Sequence, residues 1–314
     1  MVYNFRRMDF WQRWLRQPQK VWLRRAMFQV HLWAGLAIGL YVVVLSLSGS
    51  VLVYRNELDL YLRTPRPRFD AAAMPLGPDQ MRARVAEADP GWTIAGISDR
   101  VSRRNPTIEA SLERSGEQRD VLFNPYTGDE LGPSITRGEQ FILWLARLHD
   151  ELLFEREGRW WNGFFSAVFT VLVVTGFVVW WPGIGRWKRS LGVKLSSGWK
   201  RVNWDLHSAL GFWLFLFMLM WGVSGWYLGM PEPATDFVDW ISDPEAFDRP
   251  GDVFLAWLAQ VHFGRFRGNP YSSYLKATWA IVGIVPVIMF VTGAVMWWNR
   301  VLRRKPRKEL AETV

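Results

Sequence analysis

The chain of 314 residues contains no cysteine. This absence excludes disulfide bonds, iron–sulfur clusters held by thiolates and the C-x-x-C-H attachment of a c-type haem. Histidine is also scarce, with four residues in the whole chain. These four histidines are therefore the first candidate ligands for a metal or haem.

Charged residues are missing from four apolar runs, residues 31–54, 161–181, 207–229 and 277–299. Each run is long enough to cross a hydrocarbon layer about 30 Å thick as a helix. The chain as a whole is 50% hydrophobic and contains 21 tryptophans, which is unusual for a soluble protein. The sequence therefore predicts four transmembrane helices, TM1 to TM4.

Lysine and arginine are distributed unevenly between the connecting segments. They outnumber acids seven to one in residues 1–30, six to one in 182–206 and six to two in 300–314, but acids prevail in 55–160 and 230–276. The positive-inside rule predicts a multi-pass membrane protein with both termini on the cytoplasmic side. The net charge of +9 then reflects contact with the lipid bilayer, and we expect no nucleic-acid partner.

The long segment between TM1 and TM2 predicts a small periplasmic α+β insert. GPDQMRARVAEADPG is helical in pattern, and TIAGISD, TIEASLE and RDVLFNP alternate as short strands. The predicted organisation is a basic N-terminus (1–30), TM1 (31–54), the insert (55–140), an interfacial helix (141–154), TM2 (161–181), a cytoplasmic loop (182–206), TM3 (207–229), a periplasmic loop with a second interfacial helix (230–276), TM4 (277–299) and a basic tail (300–314).

The two halves of the chain repeat each other. An offset of 176 residues brings His31 onto His207, Gly35 onto Gly211, and Ser48-Gly49 onto Ser224-Gly225. An offset of 113 brings His149 in WLARLHDELLF onto His262 in WLAQVHFGRF. With four more residues, an offset of 117, Thr175-Gly176 aligns with Thr292-Gly293. The predicted fold is therefore an all-α membrane bundle of four transmembrane helices, built by duplication of a two-helix unit and carrying the insert.

The repeat places the histidines in two layers, with His31 and His207 at the inner face and His149 and His262 at the outer face. Polar residues in a membrane are costly unless they have partners, so matched pairs suggest a shared ligand. Zinc requires three or four protein ligands, whereas two histidines suit the axial positions of a haem iron. A purely structural role for these histidines is the alternative.

Glycines recur at fixed distances from the first histidine of each half. Gly35 and Gly211 follow by four residues on the same helix face, and Gly49 and Gly225 follow by eighteen residues, about 27 Å along the helix. A side chain at these positions would collide with a flat macrocycle, so we predict that they adjoin the haems. Close helix packing through small residues is an equally good explanation for any one of them.

Several arginines lie close enough in sequence to pair with haem propionates, although lipid anchoring explains them as well. They are Arg24, Arg25, Arg201, Arg156, Arg265 and Arg267.

The chain resembles the PepSY-associated transmembrane proteins of bacterial inner membranes. The resemblance lies in HLWAGLAIGLYVVVLSLSGSVLVYRNELD, LFNPYTGDELG, LHDELLF, VVTGFVVWWP and NWDLHSALGFW. It implies a haem-containing reductase that carries electrons across the membrane and reduces ferric siderophores, with His31, His207, His149 and His262 as the iron ligands. The chain departs from the family in its short insert, with a single PepSY unit, and in having no attached flavin or nicotinamide domain. The electron donor is then a separate molecule.

The resulting hypothesis is an inner-membrane protein with two b-type haems, which takes electrons from quinol or a cytoplasmic reductase and passes them to a periplasmic ferric siderophore. No side chain is expected to act as a catalytic acid or base. One alternative is a haem subunit that serves a separate periplasmic oxidoreductase. Another is a membrane-anchored PepSY binding module with no enzymatic activity.

Overall fold

The structure is a computed structural model that describes residues 9–98, 101–243, 246, 249–264, 266 and 271–301. The chain divides into two compact units, one formed by Met1–Val53 with Ala146–Val314 and the other by Tyr54–Leu145. The described helices are α1 Phe10–Arg16, α2 Trp22–Leu52, α3 Arg55–Leu62, α4 Pro78–Ala88, α5 Arg137–Glu151, α6 Glu155–Trp180, α7 Trp199–Trp213, α8 Phe215–Gly229, α9 Glu232–Ile241, α10 Pro250–His262, α11 Ser272–Gly283 and α12 Val285–Val301. The described strands are β1 Thr93–Ile97, β2 Ile108–Arg114, β3 Glu117–Phe123 and β4 Glu130–Pro133.

Three helical stretches of the first unit are long and apolar enough to cross a membrane: α2, α6 and Ser272–Val301, which α11 and α12 form together. The break between α11 and α12 is explained by Pro286, which lacks the N–H that would continue the helix. Helices α7 and α8 pass the same test as a pair, but the chain bends by 64° between them. The described chain thus has three candidate spans, or up to four if the bent pair is one span, where the sequence predicted four.

The helices of this unit form a bundle in which α6 packs against α2 and α8, and α12 packs against α2 and α7. Small residues let the helices approach closely. A Cβ added to Gly163 of α6 would meet Met230 at 2.5 Å, and one added to Gly222 of α8 would meet Thr170 at 2.5 Å. Large apolar side chains point outwards instead, among them Leu40, which is 74% exposed, and Leu216, which is 72% exposed. Such a surface is typical of a bundle that faces lipid.

The second unit is a small α+β domain in which α4 covers a four-stranded antiparallel sheet of order β1-β2-β3-β4. Its core joins Met81 and Val85 of α4 to inward-facing residues of β2 and β3, such as Leu112 and Phe123. Strands β2 and β3 are joined by Ser115 and Gly116, which both have positive φ, as in the two-residue turn that suits the twist of a hairpin. The predicted helix and the three predicted strands are confirmed, whereas β4 and α3 were not foreseen.

Helix α5 begins at Arg137 and ends at Glu151, so it starts earlier and ends earlier than the predicted segment 141–154. Helix α2 begins at Trp22, nine residues before the predicted start of TM1, because hydropathy marks only the apolar part of a longer helix. Parts of the predicted basic N-terminus, of the loop 230–276 and of the tail 300–314 lie outside the described residues.

Candidate functional site

The four histidines meet in two pairs, and both pairs lie in the first unit. His31 on α2 and His207 on α7 have ring centroids 6.3 Å apart, with an angle of 79° between the ring planes. His149 on α5 and His262 on α10 have centroids 6.4 Å apart, with an angle of 60°. Each pair therefore combines one histidine from each half of the repeat.

Every one of the four rings has an oxygen partner at Nδ1. The partner of His31 is the carbonyl oxygen of Leu172 at 2.9 Å, and that of His207 is Thr292 Oγ1 at 2.8 Å. In the other pair, His149 Nδ1 is 2.9 Å from Ser48 Oγ, and His262 Nδ1 is 2.7 Å from Ser224 Oγ.

These partners determine which nitrogen carries the proton. A carbonyl oxygen can only accept, so His31 donates from Nδ1 to Leu172. The three hydroxyls donate their protons to carbonyls of their own helices, as Ser48 Oγ does to Val44 at 2.7 Å and Ser224 Oγ does to Met220 at 2.6 Å. Thr292 donates to Ile288 in the same way, at 2.7 Å. Since each hydroxyl oxygen must then accept from Nδ1–H, all four rings keep the lone pair on Nε2, where it can bind a metal.

The pair formed by His149 and His262 lies outside the candidate spans. Burial lowers the pKa of His149, and it lowers the pKa of His262 to about 3, an effect that charge on His149 reinforces. Both imidazoles are therefore neutral at pH 7, which is the form that binds a metal.

Glycines allow three of the rings to pack against neighbouring helices. A Cβ at Gly49 would lie 2.8 Å from His149 Cε1, one at Gly176 would lie 2.8 Å from His31 Cε1, and one at Gly293 would lie 3.3 Å from His207 Cε1. Real Cβ atoms do not approach other atoms as closely as 2.8 Å, so any side chain at Gly49 or Gly176 would displace its ring. These glycines have a role in placing the imidazoles.

The other glycines predicted to adjoin a haem have different neighbours. A Cβ at Gly35 would meet Leu172 at 3.5 Å, one at Gly211 would meet Met289 at 3.1 Å, and one at Gly225 would meet Ser166 Oγ at 2.7 Å. Their contacts are with neighbouring side chains of the bundle, and their place beside a haem stays a prediction.

The spacing of the rings fits a haem held on both sides. An iron–nitrogen bond of about 2.0 Å and about 1.2 Å from Nε2 to the ring centre put two axial imidazoles about 6.4 Å apart, centroid to centroid. The observed separations are 6.3 and 6.4 Å. Edge-to-face ring contacts cover the same range of distances. The fit therefore rests on the spacing together with four Nε2 atoms for which the described residues show no hydrogen bond.

The ligand set does not fit zinc. Among the described residues, no group of three or more His, Cys, Asp or Glu side chains comes together that could hold a metal ion. Asp205, the acid closest in sequence to His207, is engaged by Arg201 at 2.8 Å and by the backbone N–H of Lys194. Two imidazoles in each pair match the number of axial ligands that a haem iron takes, and their role as haem ligands stays a prediction.

The arginines considered for haem propionates have varied surroundings. Arg24 donates to the carbonyl of Val179 at 2.6 Å, and its Nε is buried with no hydrogen-bond partner in the described part of the chain. Arg201 forms its ion pair with Asp205. Arg25 and Arg156 are exposed on α2 and α6, whereas Arg265 and Arg267 lie outside the described residues. Of the four arginines that the structure describes, Arg24 is the one with a buried donor that makes no hydrogen bond there.

The comparison with protein families decides what kind of chain this is. The model of the PepSY-associated TM region matches residues 28–251 and 238–300. The chain belongs to this family. The resemblance seen in the sequence is thereby confirmed, and all four histidines of this PepSY-associated TM protein fall within the matched residues. None of the curated proteins compared matches the chain.

Sequence reasoning found the histidines of this PepSY-associated TM protein but missed the residues that orient them. Ser48, Ser224 and Thr292 supply the oxygens at Nδ1, and Gly176 and Gly293 give His31 and His207 room. A signal was present, because the repeat aligned Ser48-Gly49 with Ser224-Gly225 and Thr175-Gly176 with Thr292-Gly293. The role of Leu172 cannot be predicted from its residue type, because it contributes a backbone carbonyl that every residue has.

Proposed function

We propose that this PepSY-associated TM protein is an inner-membrane reductase with two b-type haems, which passes electrons to a periplasmic ferric siderophore and so releases ferrous iron for uptake. The observation that carries the proposal is the pair of facing imidazoles repeated at two places in the bundle, with centroids 6.3 and 6.4 Å apart. At both places Nδ1–H donates to an oxygen, so Nε2 is the nitrogen that would bind the iron.

The two pairs lie at opposite ends of α2, which supports a path across the membrane. His31 belongs to one pair, and Gly49, which contacts His149 of the other, follows eighteen residues later. At 1.5 Å per residue this distance is about 27 Å, close to the thickness of the hydrocarbon core. With the basic segments on the cytoplasmic side, the His31–His207 pair is the inner one and the His149–His262 pair is the outer one.

Bound haem would supply reversible one-electron transfer at each pair. The imidazoles would hold the iron from both sides, and the hydrogen bonds at Nδ1 would fix the ring orientation and keep the ligands neutral. The apolar bundle around them would limit the access of water. Electrons would enter at the inner pair from quinol or a cytoplasmic reductase and leave from the outer pair. A ferric chelate reduced there would release its iron, because hard oxygen ligands bind ferrous iron more weakly than ferric iron.

The absorption spectrum of the detergent-purified protein, prepared from haem-replete cells, tests the proposal. A Soret band is expected, and dithionite should shift it as bis-histidine haem is reduced. Adding a ferric siderophore to the reduced protein should then reoxidise both haems. A colourless protein would refute the haem sites and leave the membrane-anchored binding module. Haems that stay reduced would point to an electron-transfer subunit that serves another oxidoreductase.

A further inference from the structure

Asn162 of α6 holds the end of the helix that carries His149. Its Nδ2 donates to the backbone carbonyl of His149 at 2.7 Å and to that of Asp150 at 3.1 Å. Helix α5 ends at Glu151, so these carbonyls belong to the last turn, where the helix itself provides no N–H partner. The amide of Asn162 therefore satisfies the carbonyl of the histidine and of its neighbour.

The chain leaves α5 through a strained connection. Leu152, Leu153 and Glu155 have φ values of 49°, 66° and 52°, a left-handed conformation that such residues rarely adopt. The first turn of α6 then packs on the end of α5 so closely that a Cβ at Gly158 would overlap the carbonyl oxygen of Glu151. Such a connection persists only where surrounding contacts hold it, and the hydrogen bonds of Asn162 are contacts of this kind.

Tyr41 of α2 fixes the orientation of Asn162. Its hydroxyl donates to Asn162 Oδ1 at 2.7 Å and lies 3.0 Å from Ser166 Oγ. With Oδ1 accepting from Tyr41, Nδ2 must face the carbonyls of α5. Tyr41 and Asn162 thus form one polar clamp on the helix end, defined by these two side chains.

The second half holds His262 by the same arrangement with different residues. The offset of 176 that aligns His31 with His207 also aligns Tyr41 with Phe217. The offset of 117 that aligns Thr175-Gly176 with Thr292-Gly293 aligns Asn162 with Trp279. Trp279 Nε1 donates to the carbonyl of Val261, next to His262, at 2.7 Å, and Phe217 packs edge-on against Trp279 with centroids 5.5 Å apart. Phe217 and Trp279 form an aromatic clamp on the end of α10.

Two further contacts strengthen the aromatic clamp. Trp221 Nε1 lies 3.3 Å from the carbonyl oxygen of His262 and donates to it. After α10 the chain turns through Gly264, which has a φ of 61°, and a Cβ there would lie 2.7 Å from Trp279. Both halves thus combine a left-handed turn after the histidine with a side-chain N–H on the carbonyls before that turn.

We propose that Asn162 and Trp279 are positioning residues for the outer histidines, each holding the last turn of α5 or α10 by a side-chain hydrogen bond so that His149 and His262 face each other at ligand distance. The role of the pair as haem ligands rests on the proposed function, but the two clamps are properties of the chain itself. A different chemistry at the same place in each half indicates that the contact, rather than the residue type, is what the repeat retains.

Trp279→Phe tests the aromatic clamp, because it keeps an aromatic ring against Phe217 and removes only the N–H. In haem-free protein, backbone amides of residues 259–262 should exchange with deuterium about fivefold faster, as expected for one lost hydrogen bond. In haem-loaded protein, the electron paramagnetic resonance signal and midpoint potential of the outer haem should shift while those of the inner haem stay. Trp180→Phe is the matched control, since Trp180 Nε1 is buried without a hydrogen-bond partner among the described residues.

Asn162→Leu tests the polar clamp at nearly constant volume. Amides of residues 148–151 should exchange faster and those of 259–262 should not, and the outer haem signal should again shift alone. Tyr41→Phe should produce a smaller change in the same direction, because it frees the amide of Asn162 without removing it.

The inference is overturned if exchange at these helix ends is unchanged in both Asn162→Leu and Trp279→Phe, or if Trp180→Phe changes it equally. It is also overturned if exchange rises as expected but the outer haem signal of loaded protein does not move. A wild-type protein that binds no haem would refute the proposed function instead. The exchange measurement on haem-free protein would then still decide whether the clamps hold the two helix ends.

Discussion

The contact between Gly49 and His149 makes Gly49→Ala a selective perturbation of one histidine pair. The new methyl group would lie 2.8 Å from Cε1 and 3.4 Å from Nδ1 of the His149 ring. The ring cannot simply rotate away, because Nδ1 is held by Ser48, which is the residue before Gly49 on the same helix.

The size of the displacement follows from these distances. Unstrained carbon contacts begin at about 3.5 Å, so the imidazole must move by roughly 0.7 Å. Metal ligands have to be held within about 0.5 Å of the working geometry, so this movement is enough to weaken the site. Overpacking of this kind costs about 1–3 kcal/mol, which alanine offsets by up to about 1 kcal/mol through its better helix propensity. We therefore expect the helix to form and the His149 ring to be displaced.

The assay is a reductive titration of purified Gly49→Ala followed by absorption and electron paramagnetic resonance. We expect loss or an altered signal of the haem at the His149–His262 pair and an unchanged signal at the His31–His207 pair. Gly176→Ala is the mirror control, because its methyl group would lie 2.8 Å from His31 Cε1 and should disturb only the other haem. Equal loss of both signals in either variant, or no change in both, would refute the assignment of these glycines.

Three further outcomes are expected. Ser224→Ala removes the acceptor of His262 Nδ1–H and should weaken haem binding at that site by about ten- to hundredfold in a haem titration. Because burial lowers the pKa of His149 and His262, the unfolded chain takes up protons before the folded one on acidification. The free energy of unfolding of the haem-free protein should therefore be highest above about pH 6.5 and decrease below it. In His262→Gln, thermal unfolding should show a weaker dependence on pH. Phe123→Ala, at a fully buried position of the insert, should cost its sheet about 3–5 kcal/mol, measured by hydrogen exchange in the full chain.

The sequence was sufficient to predict which histidines belong together. The repeat aligned His31 with His207 and His149 with His262, and the structure brings the aligned residues within 6.3 and 6.4 Å of each other. Repeat symmetry can predict such contacts because equivalent residues of two related units meet at the axis between them. Their role as haem ligands stays a prediction.

The parts that the sequence did not reveal depend on contacts without a residue signature. The acceptor for His31 is a backbone carbonyl, and the 64° bend between α7 and α8 falls at Leu214, where no proline marks it. Asn162 and Trp279 differ in type, so aligning identical residues passed over them. Strand β4 has only four residues, too few to show alternation of polar and apolar side chains.

The two halves of the chain thus share contacts where their residue types differ. The acceptors at Nδ1 of His31 and His207 are an example. Thr175 and Thr292 are equivalent, but the oxygen at Nδ1 is the hydroxyl of Thr292 for His207 and the backbone carbonyl of Leu172 for His31. Thr175 donates to the carbonyl of Leu172 at 3.0 Å, and that same carbonyl accepts from His31. In both halves an acceptor oxygen at this turn of the helix faces Nδ1, whether it belongs to the backbone or to a hydroxyl. In both halves Nδ1 donates its proton to an oxygen, so each ring keeps its lone pair on Nε2, the atom that would bind the iron of the proposed haem.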